Sequence, residues 1–233
     1  MKNTFLIVLM HILLLTQVSD YTKQYSYTLI FEETFQNEDG SLKNENYLFN
    51  DWFVEDIGNS NIDSLGRYEL AGKISSKKEF SQYKLEFHMA VHDAENCGIG
   101  IRSGDIYFNI VDEDLETYTI SIKEEEIKGK LPEGFDMTIM NKYSIFDTGD
   151  VVSVYINDTF LKSIELADYY QNINPKGSIS FYSGIGTSII DNIDVYSMHL
   201  RNPQTKDSFI IICLAVFILL SAIFLKIRID SKD

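Results

Sequence analysis

Three groups of residues in this 233-residue chain have types and spacing that could do chemistry. The first comprises Glu86, His88, Arg102, Tyr107, Asn109 and Tyr155, together with the only tryptophan, Trp52. These side chains combine directional hydrogen-bonding groups with aromatic planes. That combination suits a sugar, whose hydroxyls donate and accept while its C–H faces stack on rings. The plain alternative is that they are ordinary solvent-facing positions of an antiparallel sheet and that Trp52 anchors a core. The second group, Asp191, Asn192 and Asp194, offers oxygen ligands of the kind Ca²⁺ takes, as do Asp93, Glu95 and Asn96; the first of these sets could equally cap a last strand. The third group is Asp112, Asp114 and Glu116. In an extended strand their Cα atoms would be about 6.7 Å apart on one face, which is compatible with paired-carboxylate hydrolysis. Glu113 would then occupy a position that should be apolar. A solvated turn explains the stretch better, so no catalytic pair is assigned and the chain is read as a non-enzyme. His88 and His92 are too few for a metalloenzyme cluster. Asn157-Asp-Thr159 is the only N-glycosylation sequon.

The segments that must position these residues are short and extended. Tyr83, Leu85, Phe87, Met89 and Val91 alternate with Lys84, Glu86, His88 and Ala90, so one face is apolar and the other polar. Ile99 and Ile101 alternate with Gly98, Gly100 and Arg102; two glycines on one face of a strand imply close approach by a ligand or another backbone. Ile106, Phe108 and Ile110 point opposite to Asp105, Tyr107 and Asn109, and Tyr118, Ile120 and Ile122 repeat the pattern. Val152, Val154 and Ile156 lead into Asn157-Asp158, a polar pair that tolerates positive φ and predicts a tight hairpin. The charged stretch 124–130 leads through Pro132 and Gly134 into a less regular segment that reads as a loop or short helix. About a dozen such strands, with no long amphipathic helix and no fixed repeat, predict an all-β, antiparallel two-sheet sandwich.

The succession Asn96-Cys-Gly-Ile-Gly-Ile-Arg102, Val151-Val-Ser-Val-Tyr-Ile-Asn157, Gly177-Ser-Ile-Ser-Phe-Tyr182 and Asp191-Asn-Ile-Asp-Val-Tyr196 resembles the concanavalin A-like lectin/glucanase jelly rolls. The nearest likenesses are laminin G-like modules and the 3-keto-disaccharide hydrolase-type domain. The resemblance covers roughly residues 27–198. It implies a jelly roll with a concave, glycan-binding sheet, and it makes Arg102 the leading ligand contact. It implies no single activity, because the fold hosts lectins, adhesive modules and hydrolases. The glucanase branch carries a Glu-x-Asp-x-Glu strand motif, from which Asp112-Glu-Asp-Leu-Glu116 departs at its first acid.

The two ends read as targeting segments. Lys2, an apolar run from Phe5 to Leu15 and a polar exit make residues 1–19 a secretory signal peptide, with an uncleaved anchor as the alternative. Residues 20–200 form the exported domain, 201–208 a juxtamembrane linker, Phe209–Leu225 an uncharged transmembrane helix and 226–233 a cytosolic tail. Lys226, Arg228 and Lys232 follow the apolar run, which fits a type I single-pass orientation and disfavours a lipid-anchor signal. The membrane is either the plasma membrane or one of the secretory pathway. Cys213 lies in that run, which leaves Cys97 without a disulfide partner in the domain. From Asp20 to Asp207 there are 33 acidic residues against 16 basic ones, a charge of −17 that disfavours nucleic acid and favours divalent cations. Ca²⁺ is the one cofactor the sequence suggests. The resulting expectation is a recognition or adhesion domain for a glycan or glycoprotein. The alternatives are a glycoside hydrolase-like enzyme and a non-catalytic subunit of a membrane complex.

Overall fold

A computed structural model describes residues 25–37, 39–43, 50–55, 60–94, 96–111, 116–169 and 173–200. The chain divides into a compact unit, residues 27–198, and a second unit made of the two ends, 1–26 and 199–233. The account below concerns the first. The expected signal peptide and transmembrane helix lie outside the described residues, and among the described residues no helix is long and apolar enough to cross a membrane.

The strands in chain order are β1 (Tyr25–Glu33), β2 (Trp52–Glu55), β3 (Asn61–Ile62), β4 (Tyr68–Ser76), β5 (Tyr83–Val91), β6 (Asn96–Ile101), β7 (Ile106–Val111), β8 (Thr117–Ile122), β9 (Glu125–Lys130), β10 (Asn141–Asp147), β11 (Val151–Ile156), β12 (Thr159–Glu165) and β13 (Ser180–Leu200). Strand β13 belongs to two layers. Its residues 188–197 pair with β5, continuing through β10, β11 and β12 to form the first layer. Its residues 180–183 pair with β6, continuing through β7, β8 and β9 to form the second. Strand β4 follows β13 from one layer to the other, and the pairing skips a register between Ser183 and Ser188. Gly186 makes this crossing possible. Its φ is +101°, and a Cβ there would lie 2.2 Å from the Asp93 carbonyl oxygen, so no L side chain fits.

The alternations read from sequence become the inward faces. Tyr83, Leu85 and Phe87 from β5 and Val152, Val154 and Ile156 from β11 are buried, and Val152 and Val154 face Ile99, Ile101, Ile106, Phe108 and Ile120 of the other layer. Phe87 stacks on Tyr143 at 5.1 Å and meets Phe181 edge-on at 5.0 Å. Each such side chain contributes about 1.5–3 kcal/mol on burial, so the core can hold the sandwich without a disulfide. Cys97, 1% exposed, is part of that core.

Strand β9 forms from the charged stretch that the sequence left without an assigned element. Glu125, Glu126, Lys128 and Lys130 are exposed and only Ile127 packs on the core, yet the segment pairs with β8 over its whole length. A sheet-edge strand needs one apolar contact and is protected from further pairing by charge, so it lacks the alternation that marks an interior strand.

Candidate active site on the outer face of the first layer

Cross-strand register builds this face as a grid. One row runs Phe160, Tyr155, Ser144, Glu86, Asp194, with each residue directly opposite the next. The row on one side runs Ser163, Ser153, Phe146, Lys84, Tyr196; the row on the other side places Lys142 opposite His88 and His88 opposite Asp191. Simple alternation would send Asp191 and Asp194 to opposite faces, because they are three residues apart. A bulge in β13 prevents this. Asn192 adopts φ 51°, and the register shifts by one residue between Asp191 and Asp194. Ile190 and Ile193 therefore both point into the core at 0% exposure, while the two aspartates share the outer face. Bulges commonly re-aim a side chain in this way next to active sites.

The acids differ in their surroundings. Glu86 Oε1 receives Lys142 Nζ at 2.7 Å, Lys84 Nζ at 3.0 Å and the Ser144 hydroxyl at 3.3 Å. Burial by itself would raise the Glu86 carboxyl, but the hydrogen bonds from Lys142 and Lys84 outweigh it and hold the group below its usual value. Asp191 moves the other way. Burial raises it, only partly offset by the Asn192 backbone N–H at 2.9 Å and by the His88 and Arg67 charges. The Tyr196 hydroxyl, pushed up to about 12 by burial and by its bond to Asp194, donates to Asp194 Oδ2 at 3.1 Å. His88 lies between these groups, its Nδ1 buried and without a hydrogen-bond partner. Lys84 also sits over the rings of Tyr27, Phe146 and Tyr196, at 5.2–5.5 Å from their centroids. One face thus holds a carboxylate kept ionised and a carboxyl that retains its proton to higher pH. Two titratable groups pushed apart by environment make these residues candidates for an acid/base pair.

The residues singled out from sequence do not form one face. Glu86, His88 and Tyr155 are on the first layer. Tyr107 and Asn109 are on the outer face of the second, where Tyr107 meets Tyr182 edge-on at 5.7 Å and Asn109 bonds Ser121 at 3.2 Å. The close approach implied by Gly98 and Gly100 is made by neighbouring strands and their side chains. A Cβ at Gly98 would meet the Phe108 carbonyl oxygen at 2.2 Å and the Tyr182 hydroxyl at 2.8 Å, and one at Gly100 would meet Ser180 Oγ at 2.5 Å and Tyr107 at 2.8 Å. Positions 107 and 109, which share one face of β7, hold no acid, and Asp105, just before the strand, is engaged by Lys123 and by the Asn174 backbone N–H.

Arg102 is not a ligand contact. It is 3% exposed and grips Asp147, itself 0% exposed, with Nε at 2.8 Å and Nη2 at 2.6 Å; it also donates to the carbonyls of Gly149 and Asn174. Its φ of 53° breaks the outward alternation that the sequence suggested. Trp52 is also a core residue, 1% exposed and packed on Phe31 and Phe181. Among the described residues no group of three His, Cys, Asp or Glu is arranged to hold a metal ion. Both Asp191 oxygens are bonded by Asn192, and Asp93 is committed to Thr187. Asp112, Asp114 and Glu95 lie outside the described residues, and Glu116 is exposed. Asn157 is at the exposed hairpin tip as expected, but its side chain closes the turn: Nδ2 donates to Asn141 Oδ1 at 2.7 Å and Oδ1 accepts the Lys142 N–H at 3.0 Å.

Sequence reasoning missed Lys84, Ser144, Lys142, Phe146, Phe160 and Tyr196 as residues that share this face with Glu86. The polar alternation of β5 and β10 was a usable signal for the lysines and the serine. The pairing of β5 with both β10 and β13 was not.

The chain has a concanavalin A-like jelly-roll fold. It superposes on the endo-β-1,3-glucanase of Pyrococcus furiosus with a TM-score of 0.59 at 14% identity, covering 75% of this chain and 96% of that one. For β-agarase B from Zobellia galactanivorans the TM-score is 0.58 at 9% identity, covering 78% and 97%. For the endo-1,3-β-glucanase (laminarinase) catalytic domain from Thermotoga petrophila it is 0.55 at 14%, covering 76% and 99%. No family model matches the sequence, and no curated protein matches it. At these identities the likeness establishes the fold. The expectation of a non-enzymatic recognition domain is not upheld: the neighbours named here are two endo-glucanases and an agarase, which favours the hydrolase alternative.

Proposed function

We propose that the exported domain is a glycoside hydrolase-like enzyme whose working face is the outer face of the first layer. The observation that carries this reading is the pair Glu86 and Asp191, held on one face with their proton affinities shifted in opposite directions. Asp191 donates its proton to the glycosidic oxygen as the bond from that oxygen to the anomeric carbon breaks. Glu86 takes a proton from the water that forms the new bond to that carbon. Asp191 is opposite His88 and therefore diagonal to Glu86. Diagonal residues of regular strands have Cα atoms about 7–8 Å apart, which leaves room for the two carboxyls to flank one glycosidic bond. Lys84 and Lys142 keep Glu86 anionic, and Tyr196 holds Asp194 beside it.

The full-length protein is expected to release reducing ends from β-1,3-glucan or agarose, the polysaccharides named for its structural neighbours. Glu86→Gln and Asp191→Asn should each lower kcat by about 10²–10⁴-fold, the usual contribution of a general acid or base. Absence of release from both polymers, or activity that survives both substitutions, would sink the proposal. We also propose export and anchoring through residues 1–19 and 209–225, supported by the apolar runs and flanking charges of the sequence.

A further inference from the structure

His88 stands directly opposite Lys142 on one side and Asp191 on the other, so the three make a row across β10, β5 and β13. Side chains facing each other on adjacent strands start about 4.5–5.5 Å apart at Cβ, which brings both neighbours within range of any charge on the imidazole. His88 is half-buried, and its Nδ1 is buried without a hydrogen-bond partner. The other charged groups around it are already matched. Lys142 bonds Glu86 at 2.7 Å and lies 3.5 Å from Asp158, while Lys84 bonds Glu86 at 3.0 Å. Arg67 holds Asp63 with Nη2 at 2.6 Å and Nε at 2.8 Å. On β4, Glu69 accepts the Asn61 side chain at 3.0 Å, and on β13 Asp194 accepts the Tyr196 hydroxyl at 3.1 Å. Among these groups only His88 can carry a positive charge that no ion pair fixes in place. An imidazole also gains and loses charge near neutral pH, which a lysine or arginine paired in this way does not.

We propose that His88 is a positioning residue for Asp191: its charge, acting across the β5–β13 pair and without touching substrate, decides how readily Asp191 releases a proton. A cationic imidazole stabilises the carboxylate left behind when the proton moves to the glycosidic oxygen. A neutral one leaves that carboxylate to the burial that opposes it. Burial is the largest influence on the Asp191 carboxyl and raises it, and the Asn192 N–H, the His88 charge and the Arg67 charge offset it in that order. The inference rests on the hydrolase reading for what the proton does, whereas the coupling of the two residues stands without it.

The test follows the Asp191 titration by NMR in the full-length protein in detergent, with isotope label at the aspartate carboxyl carbons; the Asp191 signal is the one missing from Asp191→Asn. The midpoint should rise in His88→Gln, which removes the cation, and stay at the wild-type value in His88→Lys, which keeps one throughout the titration. For hydrolysis of β-1,3-glucan, the basic limb of kcat/KM should move to higher pH in His88→Gln and not in His88→Lys, with the acidic limb set by Glu86 left in place. Thermal unfolding of each variant confirms folding, and His88→Asn and His88→Arg replace any that unfolds. An unchanged midpoint in His88→Gln overturns the proposal. So does an equal rise in both variants, because packing and not charge would then be responsible. The two readings fail separately. A coupled titration in a protein without hydrolysis removes the enzyme and keeps the coupling, whereas hydrolysis with an uncoupled Asp191 does the reverse.

Discussion

Glu86 and Asp191 show how two carboxyls on one sheet face acquire opposite behaviour. Glu86 is placed between two lysines, and its lowered proton affinity stabilises the fold above its unfolded-state pKa; that contribution is lost as pH falls through the folded-state value. Asp191 is raised by burial, so its favourable contribution is complete below its unfolded-state pKa and disappears as pH rises through the folded-state value. Asp191→Asn should therefore raise Tm relative to wild type at pH 7, with the gain fading below about pH 4, near the ordinary aspartate pKa. Glu86→Gln should lower Tm at pH 7, and the loss should fade on acidification. Tm profiles of the two variants that ran parallel from pH 3 to 7 would contradict both assignments. Arg102 carries a related lesson. A charged side chain beside two glycines looked like a ligand contact, yet its left-handed backbone turns it onto Asp147, where removing either partner would leave a buried charge.

Among the elements, β13 decides the site. It serves both layers, and its bulge at Asn192 brings two aspartates three residues apart to one face. Asn tolerates the left-handed region and Gly prefers it, whereas a β-branched residue does not. Asn192→Gly should leave stability nearly unchanged, and Asn192→Val should cost about 1–2 kcal/mol in urea unfolding. Equal stability of the two would mean that the bulge is unstrained. The hairpin between β11 and β12 uses the same chemistry, with Asn157 at φ 49° and Asp158 at 62°. Its Asn–Asp pair announced the turn in the sequence, because few other residue pairs accept positive φ twice in succession.

For the whole molecule, the sandwich between residues 27 and 198 is held by apolar burial between two layers, and its outer faces are free to differ. One carries acids, lysines and aromatic rings; the other carries tyrosines laid over Gly98 and Gly100. The proposed anchoring is tested at this scale. The full-length protein expressed in a eukaryotic secretory host should stay in the pellet through alkaline carbonate, and deletion of 209–225 should release it to the medium. A full-length protein extracted by carbonate would contradict the membrane span.

Local sequence determined the strand faces. Period-two alternation in β5, β7, β8 and β11 depends only on which side chains avoid water, so it could be read without knowing any pairing. It also determined the Asn157–Asp158 turn. It did not determine which polar faces coincide, because alternation gives each strand a face but no neighbour. Glu86 and Tyr107 looked equivalent until pairing placed them on opposite sides of the sandwich. Nor did it determine the partners of Asp191 and Asp194, which look like calcium ligands in sequence and become neighbours of His88 and Glu86 only through a one-residue bulge. Register and bulges are set by non-local hydrogen bonding and core packing, and these residues acquire their distinct proton affinities only where the strands meet.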